Sequence, residues 1–153
     1  MGDFFGSIYC YLFEDFFGPE LANYLWGQAS PLSPQNQFGT IGLTMTVISL
    51  TMVLIFYYIV NQPRLNNVAG WGLFLVLNAI INLVVGRQWV MDDFSRGLMC
   101  SVNPANGVET PLPIDGGVIT CFGVSNMLLS MVAFVLFSYM FKWWSSQCSR
   151  APF

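Results

Sequence analysis

The sequence contains little charge and no histidine. Of its 153 residues, 8% are charged, whereas 55% are apolar and 16% are aromatic. A soluble domain of this length carries about 25% charged residues, so this chain has too little charge to cover the surface of a water-soluble globule. Its mean hydropathy of +0.59 indicates that lipid surrounds much of the chain. The composition therefore predicts one small membrane domain.

The same shortages exclude several functional classes. Five Lys and Arg residues spread over the chain cannot supply the phosphate contacts on which nucleic-acid affinity depends, so no nucleic-acid partner is predicted. Without histidine, the chain lacks His-containing metal sites and the Ser-His and Cys-His pairs of hydrolases. The spacing of its four cysteines matches no zinc pattern. We therefore predict no metal, no cofactor and no enzymatic activity.

Three long uncharged runs predict three transmembrane helices. No charged residue lies between Glu20 and Arg64, and residues 40–60 are long enough to cross about 30 Å of hydrocarbon. Similar runs predict helices over 69–86 and 116–141. A soluble protein with these helices as its core would lack the polar sequence to surround them. The predicted fold class is an all-α integral membrane protein with three transmembrane helices.

Residues 1–27 differ from the spans, because aromatic and acidic residues alternate in them at near-helical spacing. Gly18 and Pro19 interrupt this pattern, and Pro19 followed by Glu20 suits the first turn of a second helix. The segment therefore predicts an amphipathic helical hairpin that lies in the membrane interface, ahead of the spans. Its acidic start lacks the positive region of a signal peptide.

Turn-forming residues define the connections of the chain. Two prolines in residues 28–39 predict a linker that leads into a membrane domain over 40–144. Residues 88–115 contain further prolines and asparagines and predict the longest loop. Residues 145–153 remain as a short tail.

Charge distribution predicts the orientation. Three spans place the N-terminus and the long loop on one face of the membrane and the C-terminus on the other. The C-terminal face carries three Lys and Arg residues against two on the N-terminal face, which favours a cytoplasmic C-terminus. The predicted location is the cell membrane, with the N-terminus and the long loop outside.

Cysteines and tryptophans lie near the predicted helix ends. If the outer face is oxidising, Cys100 and Cys121 are candidates for a disulfide that closes the long loop and stabilises it by about 3 kcal/mol. The alternative is that all four cysteines remain separate, small apolar side chains. Five tryptophans are predicted to anchor the helices at the membrane interfaces: Trp26, Trp71, Trp89, Trp143 and Trp144.

Polar side chains inside the predicted spans are the strongest candidates for a functional role. Asn78 and Asn82 are one helical turn apart and share a face, and an amide in lipid is costly unless it finds a partner. The predicted interhelical or pore-lining residues are Asn78, Asn82, Thr44, Thr51, Asn126 and Ser130.

Two arrangements satisfy these polar faces. They can hold a single three-helix bundle together through interhelical hydrogen bonds. Alternatively, they can meet across the symmetry axis of a homo-oligomer and line a conduit, with Asp92 and Asp93 attracting cations at its outer mouth.

The preferred functional hypothesis is a self-associating membrane protein that forms or gates a channel-like conduit or perturbs the membrane. The alternative is a non-catalytic subunit or scaffold of a larger complex, with other membrane subunits as partners. No acidic or basic residue lies inside a predicted span, which disfavours ion-coupled transport. An enzyme would have to rely on Cys100, Glu109 or the adjacent Asp92 and Asp93, and adjacent acids rarely converge on one substrate.

Overall fold

The computed structural model describes residues 2–28, 36–59, 68–102 and 109–142. Helices make up about 85% of it. In chain order its elements are α1 (Gly2–Phe17), α2 (Pro19–Leu25), α3 (Gln37–Leu54, continued by a π-helical turn over Ile55–Ile59), α4 (Val68–Ser95), β1 (Cys100–Val102), β2 (Glu109–Pro111) and α5 (Gly116–Lys142).

Three of these helices are long and apolar enough to cross a membrane. They cover Gln37–Tyr58, Val68–Ser95 and Gly116–Phe141, with mean hydropathies of 2.0, 2.2 and 2.0. A helix of 22 residues is about 33 Å long, which suffices for the hydrocarbon core. The prediction of three helices that are long and apolar enough to span a membrane is confirmed, and the largely helical structure is consistent with an all-α membrane protein.

Helix α4 extends further than the sequence predicts. It continues past Gly86 to Ser95, so Trp89, Asp92 and Asp93 belong to the helix and not to the following loop. The helix ends where Gly97 takes a φ of 70°, a conformation that glycine adopts without strain and that commonly terminates helices. Helix α3 likewise begins at Gln37, inside the predicted linker.

The connection between α4 and α5 contains a short antiparallel hairpin. Strands β1 and β2 pair Cys100 with Pro111 and Ser101 with Thr110, and the Ser101 and Thr110 hydroxyls lie 2.8 Å apart. Helix α5 begins directly after Asp115, whose Oδ1 accepts a hydrogen bond from the Val118 amide (2.8 Å). This contact satisfies a donor at the helix start.

The two N-terminal helices pack against the spans and share their core. Tyr9, Phe17 and Leu21 have no more than 1% of their surface exposed. The Tyr9 ring stacks on Phe38 of α3 at 5.5 Å and lies 5.5 Å from Phe122 of α5. One side of this segment is therefore buried against protein, whereas Phe4, Leu12 and Phe16 remain more than half exposed.

Glycines bring α4 and α5 into close contact. A Cβ atom on Gly86 would lie 2.7 Å from Nδ2 of Asn126, and one on Gly123 would lie 3.1 Å from the Leu83 carbonyl oxygen. Both separations are too short for a side chain, so glycine is what allows the helix backbones to approach. Small residues serve this purpose widely in membrane helix pairs.

We predict that Gly86→Ala separates α4 from α5 and destabilises the protein by roughly 1–3 kcal/mol. Gly72→Ala in the same helix is the matched control, because a Cβ atom added at Gly72 would have no neighbour within 4 Å. Thermal unfolding of the detergent-solubilised protein compares the two variants. Equal melting temperatures for the two variants would contradict the close contact at Gly86.

Candidate functional site

A chain of hydrogen bonds runs through the interior between α4, α5 and α1. We call its five members, Tyr9, Asn78, Asn82, Asn126 and Ser130, the polar ladder. All five residues have 0% of their surface exposed. Four of them take part through their side chains, and Ser130 takes part through its carbonyl oxygen.

The amides of α4 and α5 bind each other's backbone. Asn126 Nδ2 donates to the Asn82 carbonyl oxygen (2.6 Å), and Asn78 Nδ2 donates to the Ser130 carbonyl oxygen (3.1 Å). Asn82 Nδ2 donates to both the carbonyl oxygen and Oδ1 of Asn78 (3.0 and 3.1 Å). Each helix thus donates an amide hydrogen bond to the other, at two different levels.

Tyr9 joins α1 to this ladder. Its hydroxyl donates to Oδ1 of Asn126 (2.5 Å), so Asn126 contacts α1 and α4 at the same time. Because Tyr9 and Asn126 are fully buried, losing one partner would leave the other without a substitute from water. This contact therefore fixes the position of α1 along the bundle.

The ladder has the chemistry of a structural element. It contains amides, hydroxyls and carbonyls, and no carboxylate, amine or thiol belongs to it. Asn82 Oδ1 has no hydrogen-bond partner among the described residues, which leaves one buried acceptor where a single water molecule is the natural ligand. Across residues 2–28, 36–59, 68–102 and 109–142, no three potential metal ligands of the His, Cys, Asp and Glu types come together.

The structure divides the predicted polar residues into two groups. The side chains of Asn78, Asn82 and Asn126 meet in the ladder. Ser130 joins it only through its carbonyl oxygen, because its hydroxyl donates to the Met127 carbonyl oxygen in its own helix (2.7 Å). Thr44 and Thr51 do not join them: their hydroxyls donate to the carbonyl oxygens of Thr40 and Val47 in their own helix (2.8 Å each). The expected interhelical role of the two threonines is thus not found, because a threonine hydroxyl in a helix can be satisfied by the preceding turn.

Asp92 and Asp93 have different partners at the C-terminal end of α4. Asp92 forms an exposed ion pair with Arg96 (2.8 Å). Asp93 accepts hydrogen bonds from the Tyr24 hydroxyl (3.1 Å) and from Nε2 of Gln37 (2.5 Å), and so connects α2 and α3 to α4. An open groove of about 520 Å³ beside them is also lined by Val85, Gln88 and Trp89.

Asp93 also affects the ionisation of its partner. Burial, and then the negative charge of Asp93, raise the pKa of Tyr24 above its ordinary value. The phenol therefore remains a neutral donor at physiological pH, and the hydrogen bond between α2 and α4 persists.

The described cysteines are free. Cys10, Cys100 and Cys121 form no disulfide, so the predicted bridge between Cys100 and Cys121 is absent from the structure. The Cys100 thiol instead donates to the Gly97 carbonyl oxygen (3.4 Å). The Cys10 sulfur accepts a hydrogen bond from the indole nitrogen of Trp26 (3.3 Å).

The tryptophans occupy three different environments. Trp26 packs edge-on against Phe38 at 5.6 Å and sits so close to Gly6 that a Cβ there would lie 2.5 Å from its ring. Trp71 donates to the Ser138 hydroxyl (3.2 Å). Trp89 is 38% exposed. Trp143 and Trp144, also predicted as anchors, lie outside the described residues.

Sequence reasoning missed the polar residues that hold the N-terminal helices. Tyr9 and Tyr24 read as members of an aromatic face, and Gln37 as part of a linker. The sequence carries only a weak signal for their role. Each of these three side chains has a polar end within an otherwise apolar stretch, and a polar end of this kind takes a hydrogen-bond partner when it is buried.

Comparison with protein-family models, with curated proteins and with solved structures finds no match for this chain.

We predict that Asn126→Leu lowers the free energy of unfolding by roughly 1–3 kcal/mol, because it leaves the Tyr9 hydroxyl buried without an acceptor. Thr51→Val is the control, since the Thr51 hydroxyl bonds its own helix, and we expect it to change stability by less than about 0.5 kcal/mol. Equilibrium unfolding in mixed micelles measures both. A loss as small for Asn126→Leu as for Thr51→Val would contradict the ladder.

A second prediction concerns pH. Because the folded pKa of Tyr24 exceeds that of the unfolded chain, its stabilising effect is complete below the ordinary tyrosine pKa of about 10 and is lost as the pH rises above it. The melting temperatures of the wild type and Tyr24→Phe should therefore differ at about pH 8 and converge toward about pH 11. For the control Tyr11→Phe, whose side chain is 91% exposed, the difference from wild type should stay constant. A constant difference for Tyr24→Phe as well would contradict the assignment.

Proposed function

We propose that this protein is a non-catalytic, structural subunit of a membrane complex, the alternative that the sequence left open. The single observation that carries this proposal is the complete burial of the polar ladder between α4, α5 and α1. The amides expected to line a conduit already have partners within one protomer. Their role in the proposal is to hold a rigid bundle that presents its outer surfaces to lipid and to partner subunits.

The outward face of α4 supports this proposal. Between Val68 and Val85 every exposed residue of α4 is apolar, and the exposed large ones include Leu73, Val76, Leu77, Ile80, Ile81 and Val84. Such a face is compatible with acyl chains and with an apolar helix of a neighbouring subunit, including a second copy of this chain. It offers no groups that replace the hydration shell of an ion, as a selectivity filter does.

The proposed location is the cell membrane, with α2, the β-hairpin and the Asp92–Arg96 pair on the outer side and the C-terminal end of α5 on the cytoplasmic side. In this orientation the hairpin, together with α2, forms the surface that recognises partners outside the bilayer. Labelling of intact cells with an impermeant maleimide tests the orientation, because Cys100 should react from outside. Reaction of Cys100 only after the cells are opened would reverse it.

The channel-like alternative requires a different environment for Asn78 and Asn82. A conduit through the protomer interface requires that Asn78 and Asn82 leave their partners and face water. The open groove at Trp89, Asp92 and Asp93 is the feature that favours this alternative, since carboxylates at a pore mouth attract cations.

We predict that the purified protein in planar bilayers shows no discrete conductance, and that affinity purification in mild detergent recovers stoichiometric partner subunits. Asn78→Leu with Asn82→Leu should reduce recovery of the folded complex, because the bundle loses the interhelical bond from Asn78 to the Ser130 carbonyl oxygen and the bonds between Asn82 and Asn78 that support it. Discrete conductances that these substitutions alter would favour the channel over the scaffold. The mass of the solubilised complex then separates a homo-oligomer from an assembly with foreign subunits.

A further inference from the structure

Helix α1 extends deep along the transmembrane helices. Its C-terminal end lies near the outer surface, where the Phe17 ring contacts Phe122 at 5.5 Å. Its N-terminal end is far below, because the Phe5 ring packs directly on Gly42 of α3 and leaves no room there for a Cβ atom. With a rise of 1.5 Å per residue, Gly42 lies about 7.5 Å along α3 from Gln37. Met45, which lines one groove together with Phe4, lies about 12 Å along α3 from Gln37. The first turns of α1 therefore lie near the middle of the bilayer.

An apolar groove opens beside these first turns. Its volume is about 460 Å³, and residues of α1, α3 and α5 line it, including Phe4, Leu12, Met45, Ala133 and Phe137. Its one hydroxyl-bearing residue, Thr46, donates to the Gly42 carbonyl oxygen (2.8 Å). The groove thus offers a ligand no free donor and no charge, and its chemistry matches hydrocarbon.

The extent of the groove indicates what fills it. Along α5 it reaches from Leu129 to Phe137, which corresponds to about 12 Å. Half of the hydrocarbon core is about 15 Å thick, the depth that the acyl chains of one leaflet occupy. Within the described residues, the seam between α3 and α5 is open below the first turns of α1, on the side of the leaflet at the C-terminal end of α5.

We infer that α1 is a re-entrant half-helix and that the groove holds one acyl chain of a phospholipid from the leaflet on the C-terminal side. The acyl chain continues the line of α1 through the inner half of the membrane and completes the packing of the α3–α5 seam. This inference depends on the three spans crossing a bilayer and is independent of whether the protein is a scaffold or a channel.

Lipid retention tests the occupant. The full-length protein is reconstituted in vesicles of phosphatidylcholine and phosphatidylglycerol, extracted in mild detergent and weighed by native mass spectrometry. The wild type should retain one phospholipid per protomer. Ala133→Phe fills the groove and should lower the retained fraction about tenfold. Ala133→Leu, a smaller change, serves if the phenylalanine variant does not fold.

Val84→Phe is the control for retention, because Val84 is 54% exposed on the outward face of α4 and should leave the bound lipid unchanged. Equal retention in wild type and Ala133→Phe would overturn the acyl-chain site. The site would also be overturned if the wild type were a dimer without bound lipid and Ala133→Phe were a monomer. In that case the groove would bind a second copy of the chain.

The depth of α1 is tested separately. In a protein whose four cysteines are replaced by serine, single cysteines at Phe4 and Phe16 carry spin labels; both side chains are more than half exposed. Collisions with oxygen and with a water-soluble nickel chelate report the depth of each label. The label at position 4 should be deeply buried in hydrocarbon and the label at position 16 shallow. Equal, shallow depths would mean that α1 lies in the membrane plane and would overturn the re-entrant helix.

Discussion

The structure depends on amide side chains that bind backbone carbonyls across the contact between α4 and α5. Within hydrocarbon, an unpaired amide has no water to bond, so the side chains of Asn78 and Asn126 stabilise the bundle only in the register that pairs them with the opposite backbone. Gly86 and Gly123 permit this register, because any larger side chain would hold the helices too far apart for the 2.6 Å contact between Asn126 and the Asn82 carbonyl oxygen. The close packing of α4 on α5 and the hydrogen bond from Asn126 therefore depend on each other.

The same contact determines where the N-terminal helices lie. Asn126 has one amide, and it uses the NH2 group for α4 and the oxygen for Tyr9 of α1. At the C-terminal end of α4, Asp93 combines in the same way with Tyr24 of α2 and Gln37 of α3. Two polar side chains at different depths thus hold five helices in one arrangement, and an apolar aromatic cluster around Phe38 and Phe122 fills the space between them.

Several features could be predicted from particular residues. Long uncharged runs identified the three spans, because only a helix satisfies its backbone inside lipid. The pair Asn78 and Asn82 could be singled out, because amides in an apolar helix require partners. Thr44 and Thr51 show the limit of this reasoning, since their hydroxyls bond the preceding turn of α3 and need no second helix. The continuation of α4 to Ser95 was hidden by its charges, which resemble a loop but form an ion pair along the helix.

By itself, the sequence determined the membrane class, the number of long apolar helices and the need of its amides for partners, because each follows from hydropathy, length and local chemistry. Only the tertiary structure decided which partners the amides take. It also decided that α1 packs beside the spans, and that an apolar groove remains next to its first turns. The reason is physical: the aromatic face of α1 can bury itself equally well in lipid headgroups or against protein. The choice follows from the complementary shapes of Phe5 and Gly42 and from one hydrogen bond to Asn126, which arise only when helices distant in sequence meet.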